Sequence, residues 1–238
     1  MNETIRLGEI AIRVMQRPVK HAHLSVHPPR GRVTLVAPMG TRPEVARAYA
    51  ATKLGWIRSR REELQAQARE PRRAFVTRES HYLWGKRLLL RVVEEDVKPL
   101  VRLGHREITL IVRPGSGKGK REAILRAWQK SLLHEAVPPL LRKWETKFGV
   151  RVAGYFLQRM KTKWGSCNHR AGTIRLNTEL VKKPKDLLEY VVAHEIAHLV
   201  EPTHGERFLA LMDEHYPTWR SARAELNELP LAAEEWKQ

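Results

Sequence analysis

The sequence contains a single cysteine, Cys167, among 238 residues. One thiol cannot form a disulfide within the chain, which is typical of a reducing compartment rather than of the cell exterior. The sequence also has no run of about 18 apolar residues, and its first residues, MNETIRLGEIAIRV, lack the apolar stretch of a signal peptide. We therefore expect neither secretion nor a membrane span, and we predict a cytoplasmic protein.

Acidic residues are also scarce, since 26 Asp and Glu stand against 44 Lys and Arg and leave a formal net charge of +18. The excess lies early in the chain, because residues 1–120 hold 25 basic and 11 acidic residues, a net charge of +14. Such a field attracts polyanions without any base-reading element. The basic N-terminal region is therefore predicted to bind nucleic acid or another polyanion, although a charge that serves only solubility explains the composition equally well.

The first half of the chain alternates short β-type runs with turn residues. These runs lie at residues 9–15, 22–27, 33–37, 82–83, 87–93 and 108–112, with a turn predicted at residues 28–31. Thr41, Pro43 and Glu44 are typical of a helix N-terminus and predict a helix that continues to about Arg69. No internal repeat is apparent. The pattern predicts a basic, β-rich N-terminal region over residues 1–115.

Residues 113–120 (RPGSGKGK) are predicted to form a linker, because three glycines and a proline in eight residues disfavour regular structure. The segment does not match a phosphate-binding loop. Three residues rather than four separate Gly115 from Gly119, and Arg121 rather than Ser or Thr follows Lys120. We therefore place a second domain at residues 120–238.

Within this second domain, an apolar stripe with helical spacing runs from Ile124 to Phe148 and is interrupted by Pro138 and Pro139, which predicts a helix in two parts. Residues 150–157 and 173–177 are predicted strands, with a turn at residues 164–168 between them. Another helix is predicted to begin at Pro184. Its apolar residues nearly encircle it, so we expect it to be deeply buried.

The buried helix carries a motif with metal-binding spacing, His194-Glu195-Ile196-Ala197-His198. Two imidazoles four residues apart lie on one helical face and can bind one metal ion, for which zinc is the usual choice. A catalytic zinc site needs a third protein ligand. We predict His204, because Pro202 ends the helix near Val200 and lets the chain turn back towards the metal. Glu201 is the alternative third ligand.

The ligand type assigns Glu195 a catalytic role. Neutral imidazoles leave the charge of the ion uncancelled, so that it acidifies water, and an adjacent carboxylate can accept the proton and later protonate a leaving amine. Glu195 is therefore the predicted general base. The alternative is a structural zinc site, which a fourth side chain, commonly cysteine, would close. Three earlier histidines, His21, His23 and His27, suggest a second metal, but their place near prolines favours surface positions.

Four side chains before the motif have both a functional and a structural interpretation. Cys167 can reach the zinc ion as a thiolate and hold an enzyme latent, although a cysteine in such a turn is more often a packed residue. Arg159, Lys161 and Lys163 alternate along the approach to this turn. They predict either anion-binding cations beside the site or a solvated charged face.

Several segments resemble the YgjP-like metallopeptidases, an SprT-related family of the zincins: RMKTKWGSCN (159–168), IRLN (174–177) and LEYVVAHEIAH (188–198), with His204 and Phe208. The similarity extends to residues 217–220 and 226–231 and to residues 23–29, so it covers nearly the whole chain. In detail the sequence is most similar to the bacterial branch often encoded beside type I restriction-modification genes. That similarity implies a link to a restriction-modification system.

The resemblance implies an α+β fold with a zincin-like C-terminal domain, in which the HExxH helix packs under a small mixed sheet. The edge strand of that sheet, residues 173–177, is expected to pair with an extended peptide. The family motif maps the metal ligands onto His194, His198 and His204 and the catalytic glutamate onto Glu195.

The activity that the resemblance implies is that of a zinc metallohydrolase, a metalloendopeptidase with one Zn2+ ion and a protein or peptide substrate. A metal-dependent nucleoside triphosphate pyrophosphatase is an alternative, since that activity is assigned to a relative. The third hypothesis is a non-enzymatic nucleic-acid-binding module, for which the positive charge is the supporting observation.

Overall fold

A computed structural model describes residues 2–27, 31–66, 73–160 and 163–229. The chain divides into two compact units, the first within residues 1–70 and the second at residues 71–229. The predicted linker at residues 113–120 thus lies inside the second unit. The division into domains 1–115 and 120–238 stays a prediction about independent folding. The boundary between the two compact units lies earlier in the chain, at residues 70–71.

The first unit contains a four-stranded mixed sheet and two helices. Its strands are β1 (Asn2–Leu7), β2 (Ile10–Arg17), β3 (His23–His27) and β4 (Arg32–Pro38), in the order β1-β2-β4-β3. Strands β2 and β4 are parallel and the other two pairs are antiparallel. Alternate residues such as Ile12, Val14 and Leu35 are buried against the helices, which gives the unit its own apolar core.

The two helices of this unit are α1 (Pro43–Thr52) and α2 (Leu54–Ala66), where one helix to about Arg69 was predicted. The expectation was wrong at two points. The chain leaves helical geometry at Lys53, which caps α1 with φ −103° and ψ 8°, and the N-cap position belongs to Arg42 rather than Thr41. The Thr41 hydroxyl instead donates back to the carbonyl of Pro38. The predicted turn at residues 28–31 falls outside the described residues except for Gly31.

The second unit begins with a sheet of the same topology. Its strands are β5 (Ser80–Leu83), β6 (Lys86–Glu94), β7 (Leu100–Leu103) and β8 (Glu107–Val112), in the order β5-β6-β8-β7. Again the central pair is parallel and both outer pairs are antiparallel. The chain therefore contains a topological repeat where the sequence had shown none, because strand order repeats without repetition of the side chains.

A single helix, α3 (Lys118–Phe148), follows a short loop at residues 113–117. The prediction of a helix in two parts was wrong, since Pro138 and Pro139 lie inside one continuous helix. Each proline removes a backbone donor. The buried stripe of Leu133, Val137 and Leu141 nevertheless continues past both prolines and packs in the main core, and this burial keeps the helix intact. The predicted linker likewise ends within α3, because residues 118–120 form its first turn.

A second sheet of three strands lies beside the remaining helices. Its strands are β9 (Gly154–Gln158), β10 (Gly165–Asn168) and β11 (Thr173–Asn177), in the order β10-β11-β9. Two expectations were wrong here. Residues 165–168 form a strand rather than a turn, and β11 is the central strand rather than the edge, because it pairs with β10 on one side and β9 on the other.

The side chain of Asn177 helps to explain this arrangement. It is buried, its amide nitrogen donates to the carbonyls of Met160 and Lys163 at 2.8 Å each, and its amide oxygen accepts from the backbone N–H of Met160. These bonds hold Met160 and Lys163 against the end of β11. The chain then returns along the free side of β11 as β10, which becomes the edge strand.

The remaining elements are a 3-10 helix (Thr178–Lys182) and the helices α4 (Lys185–Val200), α5 (Glu206–His215) and α6 (Trp219–Glu228). Helix α4 ends at Val200, as Pro202 predicts, and the capping residue Glu201 is extended. It contacts α3, α5, α6, β10 and β11. Among the residues that the structure describes, no helix combines the length and apolar character needed to cross a membrane.

Candidate metal centre

Helix α4 carries the predicted ligands into the core of the second unit. Its apolar side chains face several directions and are almost completely buried, among them Leu187, Val192 and Ile196. Glu195 and His198 are buried with them, and His194 is half-buried. Because almost the whole surface of the helix is apolar, other elements enclose it. The polar side chains of the motif are thereby shielded from bulk water.

The third histidine reaches the same point from the loop after α4. The Nε2 atom of His204 lies 3.0 Å from Nε2 of His194 and 3.1 Å from Nε2 of His198. The ligand atoms of all three residues lie within 4.8 Å of one another. The structure therefore brings together the three side chains that the sequence indicated as metal ligands.

The aromatic ring of Phe208 supports all three imidazoles. This side chain belongs to α5 and is 1% exposed. Its ring centroid lies 5.0, 4.6 and 4.9 Å from those of His194, His198 and His204, and it stacks on His198. The ring thus packs against all three imidazoles, and close packing of this kind restricts their rotation.

The electrostatic environment keeps these imidazoles neutral. Burial, followed by the neighbouring histidines and Arg223, lowers the pKa of His194 to about 3, and burial is also the main cause of the lowered pKa of His198 and His204. Nδ1 of His198 lies 3.0 Å from the backbone carbonyl of Glu201. An Nδ1–H donor satisfies that carbonyl and leaves Nε2 with its lone pair, which is the tautomer that binds a metal through Nε2.

Three converging neutral imidazoles match the donor set of a catalytic zinc ion and of similar divalent metals. No other group of three His, Cys, Asp or Glu side chains converges in this way in the described parts of the chain. His21, His23 and His27 of the first unit form no such group, and Nε2 of His27 lies 2.6 Å from the Thr34 hydroxyl instead. Among the described residues, the second metal site suggested by these three histidines has no supporting geometry.

Glu201 and Cys167 both lie outside the histidine group. The carboxylate of Glu201 accepts hydrogen bonds from the backbone N–H and the hydroxyl of Thr203. Cys167 lies on β10 and is half-buried, and burial together with the charge of Glu195 raises the pKa of its thiol to about 11.

Glu195 is buried directly against the edge strand. It is 5% exposed, and burial raises the pKa of its carboxyl group to about 8, a shift that the charge of Lys163 partly opposes. The close neighbour is Gly165 of β10. A Cβ atom at that position would lie 2.4 Å from Oε1 of Glu195, so only glycine leaves room for the carboxyl group.

A cavity of about 590 Å³ opens beside His194, His204 and Glu195. Its apolar walls include Trp164, Tyr190 and Trp219, and its charged walls are Lys163, Arg223 and Glu195. Glu195 is the only acid among the described lining residues. Of the three cations predicted near this turn, Lys163 lines the cavity, Arg159 pairs with Glu179 at 3.4 Å, and Lys161 lies outside the described residues.

The sequence indicated the three histidines and Glu195 as candidates, but not the groups that shape their surroundings. Phe208 entered only through the family resemblance, and Gly165 only as part of a predicted turn. Tyr190 stands one helical turn before His194, so the spacing of α4 could have indicated it. No local sequence pattern indicates Arg223 as a residue of the site, because only tertiary packing brings α6 to the cavity.

Comparisons with known proteins identify a family and two partly similar structures. The family model of the YgjP-like metallopeptidase domain matches residues 22–229. Two solved metallopeptidase zymogens are similar over part of the chain. Abylysin of Pyrococcus abyssi is 20% identical with a TM-score of 0.36, covering 38% of this chain and 90% of abylysin. Jannalysin of Methanocaldococcus jannaschii is 18% identical with a TM-score of 0.35, covering 38% and 87%. No curated protein matches the chain.

We predict that His204→Ala lowers zinc affinity at least about 100-fold, because it removes one of three converging nitrogens. Glu201→Gln is the matched control and should retain wild-type affinity, since an amide oxygen still accepts from Thr203. Competition titration with a zinc-binding dye measures both. Retained affinity in His204→Ala, with loss in Glu201→Gln, would show that the carboxylate completes the site.

We predict that Gly165→Ala lowers turnover about 100-fold while zinc binding persists, because the new methyl group displaces Glu195 and leaves the histidines in place. Gly154→Ala on β9 is the control, since a Cβ atom there meets nothing within 4 Å. Steady-state turnover and zinc content are measured for both variants. Full activity in Gly165→Ala would refute the close approach of Glu195 to β10.

Proposed function

The chain belongs to the YgjP-like metallopeptidase family, and we propose that it is a zinc-dependent endopeptidase with His194, His198 and His204 as ligands and Glu195 as general base. The convergence of three Nε2 atoms beside the buried carboxyl group of Glu195 carries this proposal. A divalent metal bound by the three imidazoles supplies positive charge that polarises a carbonyl group, acidifies water and favours the ionised form of Glu195.

Glu195 is suited to move the proton in this reaction. Its position next to His194 in sequence, on a helix buried on most sides, fixes the carboxyl group against Gly165. A carboxylate in this position accepts a proton from the attacking water and passes it to the leaving amine. A pKa raised by burial brings the group closer to neutral pH, where it can both accept and release a proton.

The edge strand β10 supports a peptide as the substrate. Its neighbour in the sheet is β11, so its other side presents backbone donors and acceptors along residues 165–168. An extended peptide that pairs with this side lies next to Glu195, because β10 contacts α4 and Gly165 contacts Glu195. The aromatic walls of the neighbouring cavity, the half-buried Trp164 and the buried Tyr190, suit the side chains of such a peptide.

We predict that Glu195→Gln lowers peptide turnover at least about 100-fold and leaves zinc stoichiometry unchanged, since general base catalysis is worth about 10²–10⁴ in rate. The zinc-loaded proteins are incubated with an unfolded-protein and peptide library and, in parallel, with nucleoside triphosphates. Products are identified by mass spectrometry.

Glu189→Gln on the same helix is the control, because Glu189 bonds to Lys143 and Trp144 away from the cavity and its variant should keep wild-type turnover. Full activity of Glu195→Gln would defeat the assigned mechanism. Pyrophosphate release that depends on Glu195, without peptide products, would replace the peptidase with a nucleoside triphosphate pyrophosphatase.

A further inference from the structure

One face of the sheet in the first unit carries four exposed arginines. Side chains alternate across the sheet, and Ile12, Val14 and Leu35 occupy the face that packs on α1 and α2. The register places Arg6, Arg13, Arg17 and Arg32 on the opposite face, and all four are exposed. We refer to these four residues as the arginine face.

The strand register sets the spacing of these charges. Arg6 of β1 lies opposite Ala11, and Arg32 of β4 lies opposite His27 in the same row of the sheet. Arg6 and Arg32 are thus separated by two strand spacings, about 10 Å. Arg13 stands on β2 between them and one row further along, and Arg17 stands four residues beyond it, about 13 Å away. Arg13 and Arg17 thus lie along β2, with Arg6 on β1 to one side and Arg32 on β4 to the other.

The remaining positions of this face hold polar residues together with apolar ones such as Ala11, Met15 and Val36. Thr4 and Thr34 flank Arg13, and Ser25 lies opposite Thr34. Burial and the charge of Arg32 lower the pKa of His27, so this ring is neutral at pH 7. None of the described side chains on the face is acidic. Among the described residues, none of the four arginines forms an ion pair or a side-chain hydrogen bond.

We propose that the arginine face binds the phosphate backbone of double-stranded nucleic acid without reading its sequence. Guanidinium groups bind phosphate oxygens in a bidentate manner, and hydroxyl groups add neutral donors to the same backbone. A protein partner is a poorer match, because protein interfaces have an apolar centre, whereas the larger apolar side chains of this face, Met15 and Val36, are only partly exposed beside four exposed arginines. A single strand is also a poorer match, because the described residues of this face include no Phe, Tyr or Trp ring on which bases stack.

This inference is independent of the proposed peptidase. All four arginines belong to the first unit, and the histidine group belongs to the second. Loss of the arginine face should therefore leave zinc content unchanged, and failure of either proposal is visible without the other.

The test measures fluorescence anisotropy of a labelled 20-base-pair DNA duplex of mixed sequence, titrated with the full chain at several salt concentrations. The first variant combines Arg6→Gln, Arg13→Gln, Arg17→Gln and Arg32→Gln. The control variant removes the same charge from the helical side of the unit, as Arg42→Gln, Arg47→Gln, Lys53→Gln and Arg58→Gln. Thermal unfolding and zinc content establish that both variants fold.

We expect micromolar binding of the wild type and a slope of log K against log salt that is shallower by about 3.6 in the first variant, since each phosphate contact contributes about 0.9. The control should keep most of the wild-type slope. Equal slopes in the two variants would overturn the proposal, because total charge alone would then explain binding. Tighter binding of a single strand, or displacement by polyglutamate of equal charge, would overturn the assignment to a duplex.

Discussion

The burial of α4 is the constraint on which the rest of the site depends. A helix with apolar residues on most of its surface must be enclosed, and α3, α5, α6, β10 and β11 enclose it. Enclosure takes His194, Glu195 and His198 out of bulk water. The same desolvation lowers the pKa of the histidines and raises that of Glu195, so one physical cause yields both uncharged imidazoles and a carboxyl group whose pKa lies closer to neutral pH.

Enclosure also requires space for polar groups among packed side chains, and two residues shape that space. Gly165 leaves a gap on β10 that the carboxyl group of Glu195 occupies, and Phe208 packs against the three imidazoles. Asn177 acts one step further away, because its hydrogen bonds to Met160 and Lys163 set the path by which β10 reaches the edge of the sheet. The edge strand and the metal centre are thus parts of one packed assembly.

The sequence predicted most of what depends on local periodicity. Helix α4, its end near Val200 and the approach of His204 follow from residues close in sequence, because helical spacing and the effect of Pro202 act locally. The features that the sequence did not predict depend on contacts between residues far apart in the chain. The four residues of β10 have no apolar alternation, so only their pairing with β11 identifies them as a strand. The continuity of α3 through Pro138 and Pro139 depends on packing of its stripe, and the central place of β11 depends on strand order. The two four-stranded sheets share one topology without a repeated amino-acid sequence, so the sequence could not reveal it.

The central claim is that three imidazoles, and no sulfur, hold the metal ion. X-ray absorption at the zinc edge of the zinc-loaded protein tests it directly, because nitrogen and sulfur ligands differ in both distance and scattering. We expect a first shell of nitrogen and oxygen atoms at about 2.0–2.1 Å, with the outer-shell pattern of three imidazole rings. A sulfur atom at about 2.3 Å would contradict the account, since it would place Cys167 on the metal. An outer shell from only two imidazoles would contradict the assignment of His204.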